Sequence, residues 1–351
     1  MKIISIVGTR PQFIKSALVS RRLRIAGHKE ILVHTGQHYD EEMSQIFFKE
    51  LELPEPDVQL QVGSGTHAWQ TGTMMIEIEK ILLGDRVDRM LVYGDCNTTL
   101  AGALAACKLK IPIAHVEAGL RSFNRAMPEE HNRILTDHCS NLLFCPTQTA
   151  VNNLSKEGIE EGVHWVGDTM YDAVLKFSNF AEQRSDILKR LGIRSKNYLL
   201  VTLHRPEMTD NPENLNNIMS ILARLGEAIV FPVHPRTRKK ISELSGTRLK
   251  MIKPVGYLNM LVLEKNARAI LTDSGGVQKE AYFLKVPCLT LRSETEWIET
   301  IASGWNTLVG KDGSGILVKL KNLKHPSDNQ RSLFGNGRAS ERIVDILTNM
   351  V

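Results

Sequence analysis

The sequence contains no hydrophobic run long enough to cross a membrane, no short-period repeat and no low-complexity segment. Its five cysteines include no CxxC pair, so we expect reduced core thiols in a cytoplasmic protein and no disulfide framework. The net charge of +5 is too small to indicate a nucleic-acid partner, but it suits a small anionic substrate. The opening segment MKIISIVGTRP breaks too early to be predicted as a signal peptide.

Several catalytic and cofactor signatures are also missing. The first strand–helix turn carries no GxGxxG, and the chain has no GxSxG elbow and no Walker lysine motif. The histidines are scattered and lack the spacing of metal ligands. These absences favour acid–base chemistry on a substrate held by its phosphates, with no metal site expected.

Short apolar segments alternate with helical segments along all 351 residues, which predicts an α/β fold. We expect two Rossmann-like domains facing each other across a cleft. The expected bounds are 1–170 for the N-terminal domain and 171–335 for the C-terminal domain. A last helix is expected at 336–351, and it could pack back on the N-terminal domain.

Polar side chains follow the predicted strands at their carboxyl ends, where doubly wound sheets bind ligands. They include Arg10, Asp95, Glu117, His204 and His234. Each has a structural alternative: Asp95 as a helix cap, His204 as an ordinary loop histidine. Glu129 and Glu130 open a helix after Pro128, where the helix dipole favours acids, and we adopt that interpretation for Glu130. The convergence of these groups at one rim favours a site.

The segment at 269–285 is predicted to be a strand, a tight turn and a helix. The turn Asp273-Ser274-Gly275-Gly276 would present free backbone N–H groups and the positive end of the helix dipole to a phosphate. Glu280, one to two turns into the helix, is placed to reach a ribose hydroxyl. The alternative is a plain turn capped by Asp273 or Ser274.

Two cations, Arg10 and Lys15, lie near the start of a helix predicted to begin at Pro11, against the dipole preference. A bound anion would explain both. A solvated surface pair is the alternative, and for Lys15 considered alone it is the favoured one.

Taken in order, these motifs resemble the non-hydrolysing UDP-N-acetylglucosamine 2-epimerases along essentially the whole chain. The segments that carry the resemblance are GTRP with Lys15, Gly94-Asp95, HVEAGLR at 115–121, PEE with Asn132-Arg133, His204-Arg205, PVH at 232–234, and TDSGG at 272–276 with Gln278 and Glu280. The resemblance implies a GT-B-like fold, a homodimer and a cofactor-independent reaction. UDP would be eliminated across C1–C2 to leave a 2-acetamidoglucal, then added back with the proton on the other face of C2.

The resemblance also implies roles for individual residues. Asp95, Glu117 and Glu129 are the implied acid–base groups, and His204 lies near the leaving diphosphate. The residues implied to hold UDP are Arg10, Lys15, Ser274, Gly275, Gly276 and Glu280. Arg133 and His234 would complete the cleft.

Two departures bear on the substrate. Thr295-Glu296-Trp297-Ile298-Glu299 stands where the bacterial enzymes usually have TERPE, and Thr73 stands where they carry an arginine for a second, activating UDP-GlcNAc. Gln12-Phe13, Ser122-Phe123-Asn124 and Thr295-Glu296-Trp297 look more like the branch acting on UDP-2,3-diacetamido-2,3-dideoxyglucuronate. That sugar is the alternative substrate, and a GT-B glycosyltransferase using a UDP-sugar is the alternative of another class.

Overall fold

The computed structural model describes residues 1–37, 41–241, 248–323, 325–326 and 332–349. The chain divides into two compact units. Unit 1 comprises Met1–Leu175 with Ser332–Val351, and unit 2 comprises Lys176–Arg331. The divisions fall at 175/176 and 331/332, where the sequence suggested 170/171 and 335/336.

Unit 1 is built on a seven-stranded parallel sheet. Its strands are β1 Lys2–Val7, β2 Lys29–His34, β3 Val58–Gln59, β4 Arg89–Tyr93, β5 Ile113–Val116, β6 Leu142–Cys145 and β7 Val163–Trp165. They lie in the order β3-β2-β1-β4-β5-β6-β7. The helices are α1 Arg10–Ile25, α2 Glu41–Glu50, α3 His67–Gly84, α4 Asn97–Lys108, α5 Pro128–Cys139, α6 Gln148–Lys156 and α7 Thr169–Arg184, which runs on into unit 2.

Unit 2 is built on a six-stranded parallel sheet. Its strands are β8 Leu199–Thr202, β9 Ile229–Pro232, β10 Leu249–Ile252, β11 Ala269–Thr272, β12 Cys288–Thr290 and β13 Asn306–Leu308, in the order β10-β9-β8-β11-β12-β13. The helices are α8 Ile187–Leu191, α9 Pro206–Thr209, α10 Pro212–Arg224, α11 Pro235–Arg238, α12 Tyr257–Asn266, α13 Gly275–Phe283, α14 Ile298–Ala302 and α15 Ile316–Lys321.

The central strands are almost wholly apolar because helices cover both faces of a parallel sheet. In each sheet the strand order reverses beside the first strand, between β1 and β4 and between β8 and β11. Ligands bind at such switch points, beyond the carboxyl ends of the strands. The predicted α/β alternation is confirmed. The short β3 and β13 were not predicted, since two or three residues carry little periodicity.

The last helix, α16 Ala339–Asn349, packs on α1 within unit 1. The Asp172 carboxylate accepts hydrogen bonds from the backbone N–H groups of Ala339 and Ser340 at 3.1 and 2.7 Å. His28 Nε2 lies 2.8 Å from Thr348 Oγ1. The end of the described chain is therefore fixed to the first helix and to α7.

The cysteines only partly follow the expectation of core thiols. Cys145 and Cys288 are buried, whereas Cys96 and Cys139 are partly exposed and Cys107 is exposed. That expectation is therefore wrong for Cys107, because an apolar run on a helix still has an outer face. Across the described ranges, no helix has the length and apolarity to cross a bilayer.

Candidate functional site

Unit 1 gathers polar groups at the carboxyl ends of three neighbouring strands. β4 pairs with β1 on one side and with β5 on the other. Arg10 follows β1, Asp95 follows β4 and Glu117 follows β5. Because all three strands are parallel, these residues lie along one edge of the sheet, as the sequence predicted.

Glu117 forms a buried ion pair with Lys15 of α1. The Lys15 ammonium contacts Glu117 Oε2, and the two side chains are only 9% and 7% exposed. Lys15 is therefore not a solvated surface cation. An adjacent cation in a water-poor environment favours the charged carboxylate. Glu117 has a φ of 75°, an uncommon conformation for a residue other than glycine, and its N–H donates to the Phe144 carbonyl at 3.1 Å.

Gly94 brings the turn after β4 close to this pair. Its φ is +65°, and a Cβ atom there would lie 3.0 Å from Lys15 Nζ and 3.3 Å from Glu117 Oε2. A residue with a side chain would be strained in this backbone conformation and would press on both charged groups. Glycine is thus required here for two independent reasons.

Asp95 is held by Arg133 of α5. Arg133 Nη2 donates to Asp95 Oδ2 at 2.5 Å, and Arg133 Nη1 donates to Glu130 Oε2 at 2.6 Å. Asp95 remains one-third exposed while Arg133 is buried. Asp95 does not cap α4, since the N-cap is Cys96. The arginine fixes an accessible carboxylate in its charged form.

Glu130 does more than occupy the first turn of α5. Its carboxylate is buried, pairs with Arg133, and accepts hydrogen bonds from the backbone N–H groups of Ser122 and Phe123 at 2.9 and 2.8 Å. It therefore fixes both the arginine and the loop after Glu117. The interpretation of Glu130 as merely a first-turn acid was incomplete. Glu129 lies beside it in the first turn and is partly exposed.

Two asparagines support the acidic residues, and neither was given a role from the sequence. Asn132 Nδ2 donates to the Asp95 carbonyl at 3.0 Å and to Asn97 Oδ1 at 3.2 Å. Both asparagines are buried. The position of Asn132, one residue before Arg133, was the signal for the first of them. Arg10 is partly exposed, with its guanidinium 5.7 Å from the centroid of the Phe47 ring.

Unit 2 has its own polar cluster where β8 and β11 end side by side. Asp273 is buried and accepts from the backbone N–H groups of His204 and Arg205 at 3.0 and 2.9 Å. His204 Nδ1 lies 3.1 Å from Asp273 Oδ1, while the His204 side chain is 60% exposed. Burial alone would raise the pKa of Asp273. The His204 ring and the two amide donors outweigh burial and hold that pKa below its ordinary value. Asp273 therefore orients His204 toward solvent.

The turn after β11 is capped by Ser274, whose Oγ accepts from Val277 N at 3.4 Å. The alternative of Asp273 as the cap is wrong. A Cβ on Gly275 would lie 2.4 Å from Glu296 Oε1. Glu296 in turn pairs with Arg292 at 2.9 Å. This buried acid beside the glycine turn was not assigned from the sequence, because only the tertiary fold brings it there.

The remaining predicted residues of unit 2 lie on the same sheet edge. Gly276 is in the first turn of α13, and Glu280 lies further along it, 5% exposed. His234 follows β9 and is exposed. The N-terminus of α13 supplies the positive dipole end expected for a phosphate site.

Comparison with known proteins gives consistent matches. A family model described as UDP-N-acetylglucosamine 2-epimerase matches residues 21–348. A "UDP-N-acetylglucosamine 2-epimerase homolog" of Methanococcus maripaludis is 54% identical over 358 residues, covering 100% of both chains. The UDP-2,3-diacetamido-2,3-dideoxy-D-glucuronate 2-epimerase of Pseudomonas aeruginosa is 47% identical over 360 residues, again covering 100% of both.

Solved structures extend the comparison to the fold. The Methanocaldococcus jannaschii UDP-GlcNAc 2-epimerase, crystallised with UDP-GlcNAc and UDP, superposes with a TM-score of 0.93 at 50% identity, covering 99% of this chain and 100% of that one. The calicheamicin glycosyltransferase CalG4 matches with a TM-score of 0.59 at 15% identity, covering 100% and 99%. That second likeness concerns the fold alone. The two-domain α/β architecture is GT-B-like.

Proposed function

The chain belongs to the UDP-N-acetylglucosamine 2-epimerase family, and we propose how its residues carry out the reaction. The protein is an isomerase, a non-hydrolysing UDP-GlcNAc 2-epimerase, which inverts C2 to give UDP-ManNAc. The residue assignment rests on two ion pairs in unit 1. Two carboxylates at neighbouring strand ends, Asp95 and Glu117, are each held by a buried cation.

The difficulty of the reaction is the weak acidity of the proton on C2. In the first half, a carboxylate takes this proton, the C1–O bond to UDP breaks, and a C1=C2 double bond forms in a 2-acetamidoglucal. In the second half, UDP adds back to C1 while C2 receives a proton on its opposite face. The overall change is an isomerisation, so the protein has to supply a positioned base, a positioned acid and a binding site for the departing UDP.

Asp95, Glu117 and Glu129 are the acid–base residues of this mechanism. Lys15 and Arg133 hold Glu117 and Asp95 in the ionised form, in which a carboxylate can accept the proton from C2. The proton that C2 receives on its opposite face comes from a second group, which carries that proton while the glycal is bound. The family resemblance selects all three acids, and the ion pairs support Asp95 and Glu117. Neither assigns an acid to a face of C2.

UDP is bound by groups suited to an anion. The N-terminus of α13 with Ser274, Gly275 and Gly276 takes the phosphates, and Glu280 accepts from the ribose hydroxyls. His204, oriented by Asp273, stabilises the charge that develops on the leaving diphosphate. Arg10, Lys15, Arg133 and His234 complete the set of positively charged or hydrogen-bonding groups around the substrate.

A uronate substrate is the second candidate. The relative from Pseudomonas aeruginosa, named for UDP-2,3-diacetamido-2,3-dideoxy-D-glucuronate, matches the whole chain at 47% identity. The same acids would act at C2 of that sugar, because the reacting carbon and the leaving group are unchanged.

We also propose that the enzyme is a cytoplasmic homodimer that supplies precursors for cell-envelope polysaccharides. The observation that favours self-association is a stripe on α3. Trp69, Ile76 and Leu83 are 51%, 52% and 70% exposed and recur every seven residues. That spacing puts them on one helix face, which two copies of the chain can bury against each other.

Proton NMR of the protein with UDP-GlcNAc in D2O tests the function. Deuterium at C2 together with UDP-ManNAc is the expected result. Release of free sugar with UDP would indicate hydrolysis instead. No exchange with UDP-GlcNAc but exchange with the diacetamido-glucuronate would assign the second candidate substrate.

A further inference from the structure

His115 is a buried histidine whose two ring nitrogens both contact acceptors. It lies in the middle of β5, fully shielded from solvent. Nδ1 is 2.7 Å from Asp137 Oδ1, and Nε2 is 2.7 Å from the carbonyl oxygen of Gly94. A carbonyl oxygen has no proton to donate, so Nε2 must be the donor in the contact with Gly94.

The Asp137 carboxylate accepts hydrogen bonds at both of its oxygens. Besides the His115 ring, it accepts from Gly119 N at 3.1 Å and from Arg121 Nη1 at 2.7 Å. The buried ion pair with Arg121 favours the ionised form of this carboxylate independently of the histidine. An ionised carboxylate accepts only, so Nδ1 must donate too.

We infer that His115 is an imidazolium, with both ring nitrogens donating, and that it positions the two turns carrying Asp95 and Glu117. A neutral imidazole has one N–H, and with it one of the two short contacts would join two lone pairs. The cation satisfies both. This positioning role for the reaction rests on the function proposed above, whereas the charge state of the ring does not.

The surrounding charges balance the buried cation. Arg121 donates from Nε and Nη2 to the two carboxylate oxygens of Glu157, each at 2.7 Å. Two cations, His115 and Arg121, therefore face two anions, Asp137 and Glu157. Cys145 of β6 also lies near this network, and burial raises the pKa of its thiol, so it adds no charge. A buried charge is tolerated when it is paired and hydrogen-bonded in this way.

The two hydrogen bonds of His115 lead directly to the catalytic turns. Both backbone polar groups of Gly94 bond to β5. Its N–H donates to the Val116 carbonyl at 2.9 Å, and its carbonyl accepts from His115. Asp95 is the next residue. On the other side, Asp137 accepts from the N–H of Gly119, two residues after Glu117. One side chain thus sets the spacing between both turns, and misplacing a catalytic group by 1 Å costs about 10²-fold in rate.

The charge state is measured directly on the ¹⁵N-histidine-labelled protein at neutral pH. The expected spectrum contains the signal of a ring with both nitrogens protonated that disappears in His115→Gln. The variant His131→Gln, which removes an exposed histidine of α5 whose ring contacts the Arg125 carbonyl, should retain it. In Asp137→Asn the side-chain amide can donate to Nδ1, so the ring is expected to become neutral. A neutral His115 in the unmodified protein overturns the inference.

The positioning role is measured by separating turnover from binding. His115→Gln places one donor and one acceptor where two donors are needed. We expect kcat to fall about 10²-fold, with KM for the UDP-sugar and Kd for UDP unchanged. An unchanged kcat overturns the positioning role. If the unmodified protein turns over neither candidate sugar, the proposed function fails, and the nitrogen spectrum still decides the charge state. If His115→Gln does not fold, the spectra of the unmodified protein and of Asp137→Asn decide it.

Discussion

The Lys15 ammonium and the Glu117 carboxylate form a buried ion pair between residues 102 positions apart in the chain. Breaking a buried pair by removing one partner leaves an uncompensated charge, which costs several kcal/mol, whereas an exposed pair contributes little. Lys15 therefore holds Glu117 in its ionised form, and substitutions near the pair should lower turnover.

Replacing Glu117 with Gln removes an acid–base group but keeps its size. We expect turnover to fall about 10³-fold with UDP binding retained, because the proposed UDP groups of unit 2 are untouched. Steady-state kinetics and calorimetry with UDP measure the two effects. Glu52→Gln, at a half-exposed position of the same unit, is the control and should keep full turnover. Unchanged turnover in Glu117→Gln would rule out the acid–base assignment.

Replacing Gly94 with Ala should disturb the same pair without touching either charge. The new Cβ would lie 3.0 Å from Lys15 Nζ, in a backbone conformation that disfavours side chains. We expect kcat to fall about 10-fold to 10²-fold through the shift of Glu117. Gly84→Ala is the matched control, since a Cβ there meets nothing within 4 Å. Equal kcat in both variants would show that the pair tolerates displacement.

Asp273 should contribute stability that depends on pH. Its folded pKa lies below the ordinary value, so its contribution is fully present above about pH 4 and is lost as pH falls through the folded pKa. Asp273→Asn should therefore destabilise the protein by about 1–3 kcal/mol near neutral pH, and the difference should shrink in acid. Urea unfolding followed by tryptophan fluorescence at several pH values measures it. Asp186→Asn, at an exposed position, serves as the control. A difference that does not vary with pH would contradict the assigned cause.

Glu264 should have the opposite pH dependence. Burial, followed by the neighbouring Glu280 carboxylate, raises its pKa well above the ordinary value. The unfolded chain ionises near pH 4.3 and the folded protein does not, so stability should fall as pH rises from there toward the raised pKa.

The variant Glu264→Gln isolates this effect because it cannot ionise. We expect its Tm to exceed that of the unmodified protein at pH 8 and the gap to close toward pH 4. Differential scanning calorimetry across that range measures it. Parallel curves for the two proteins would show that Glu264 does not titrate as described.

The exposed stripe on α3 should govern the oligomeric state. Ile76→Asp places a charge in the middle of the stripe, so a dimer joined there should dissociate to monomers. Light scattering after size exclusion measures the mass. Ile25→Asp, which also charges an exposed apolar residue of unit 1, should leave the mass unchanged. A dimer that survives Ile76→Asp would place the interface elsewhere.

Much of the fold followed from local patterns. The strand β11 and the helix α13 lie within the strand, turn and helix predicted at 269–285, and Asp95 and Glu117 lie at strand ends as expected. Apolar runs and helix starts are encoded by neighbouring residues, so a single sequence predicts them. Recognition of the family rested on the same short motifs. These motifs follow strands because doubly wound sheets bind their ligands at the carboxyl ends of the strands.

The sequence by itself determined the α/β alternation, the polar residues at the strand ends and the family. Only the tertiary structure decided which charges meet: Lys15 with Glu117, Asp273 with His204, Glu296 beside Gly275, and His115 between two acceptors. The physical reason is distance along the chain. A pairing between remote residues depends on strand order and burial, which no local pattern contains, and burial then sets the charge state of each group.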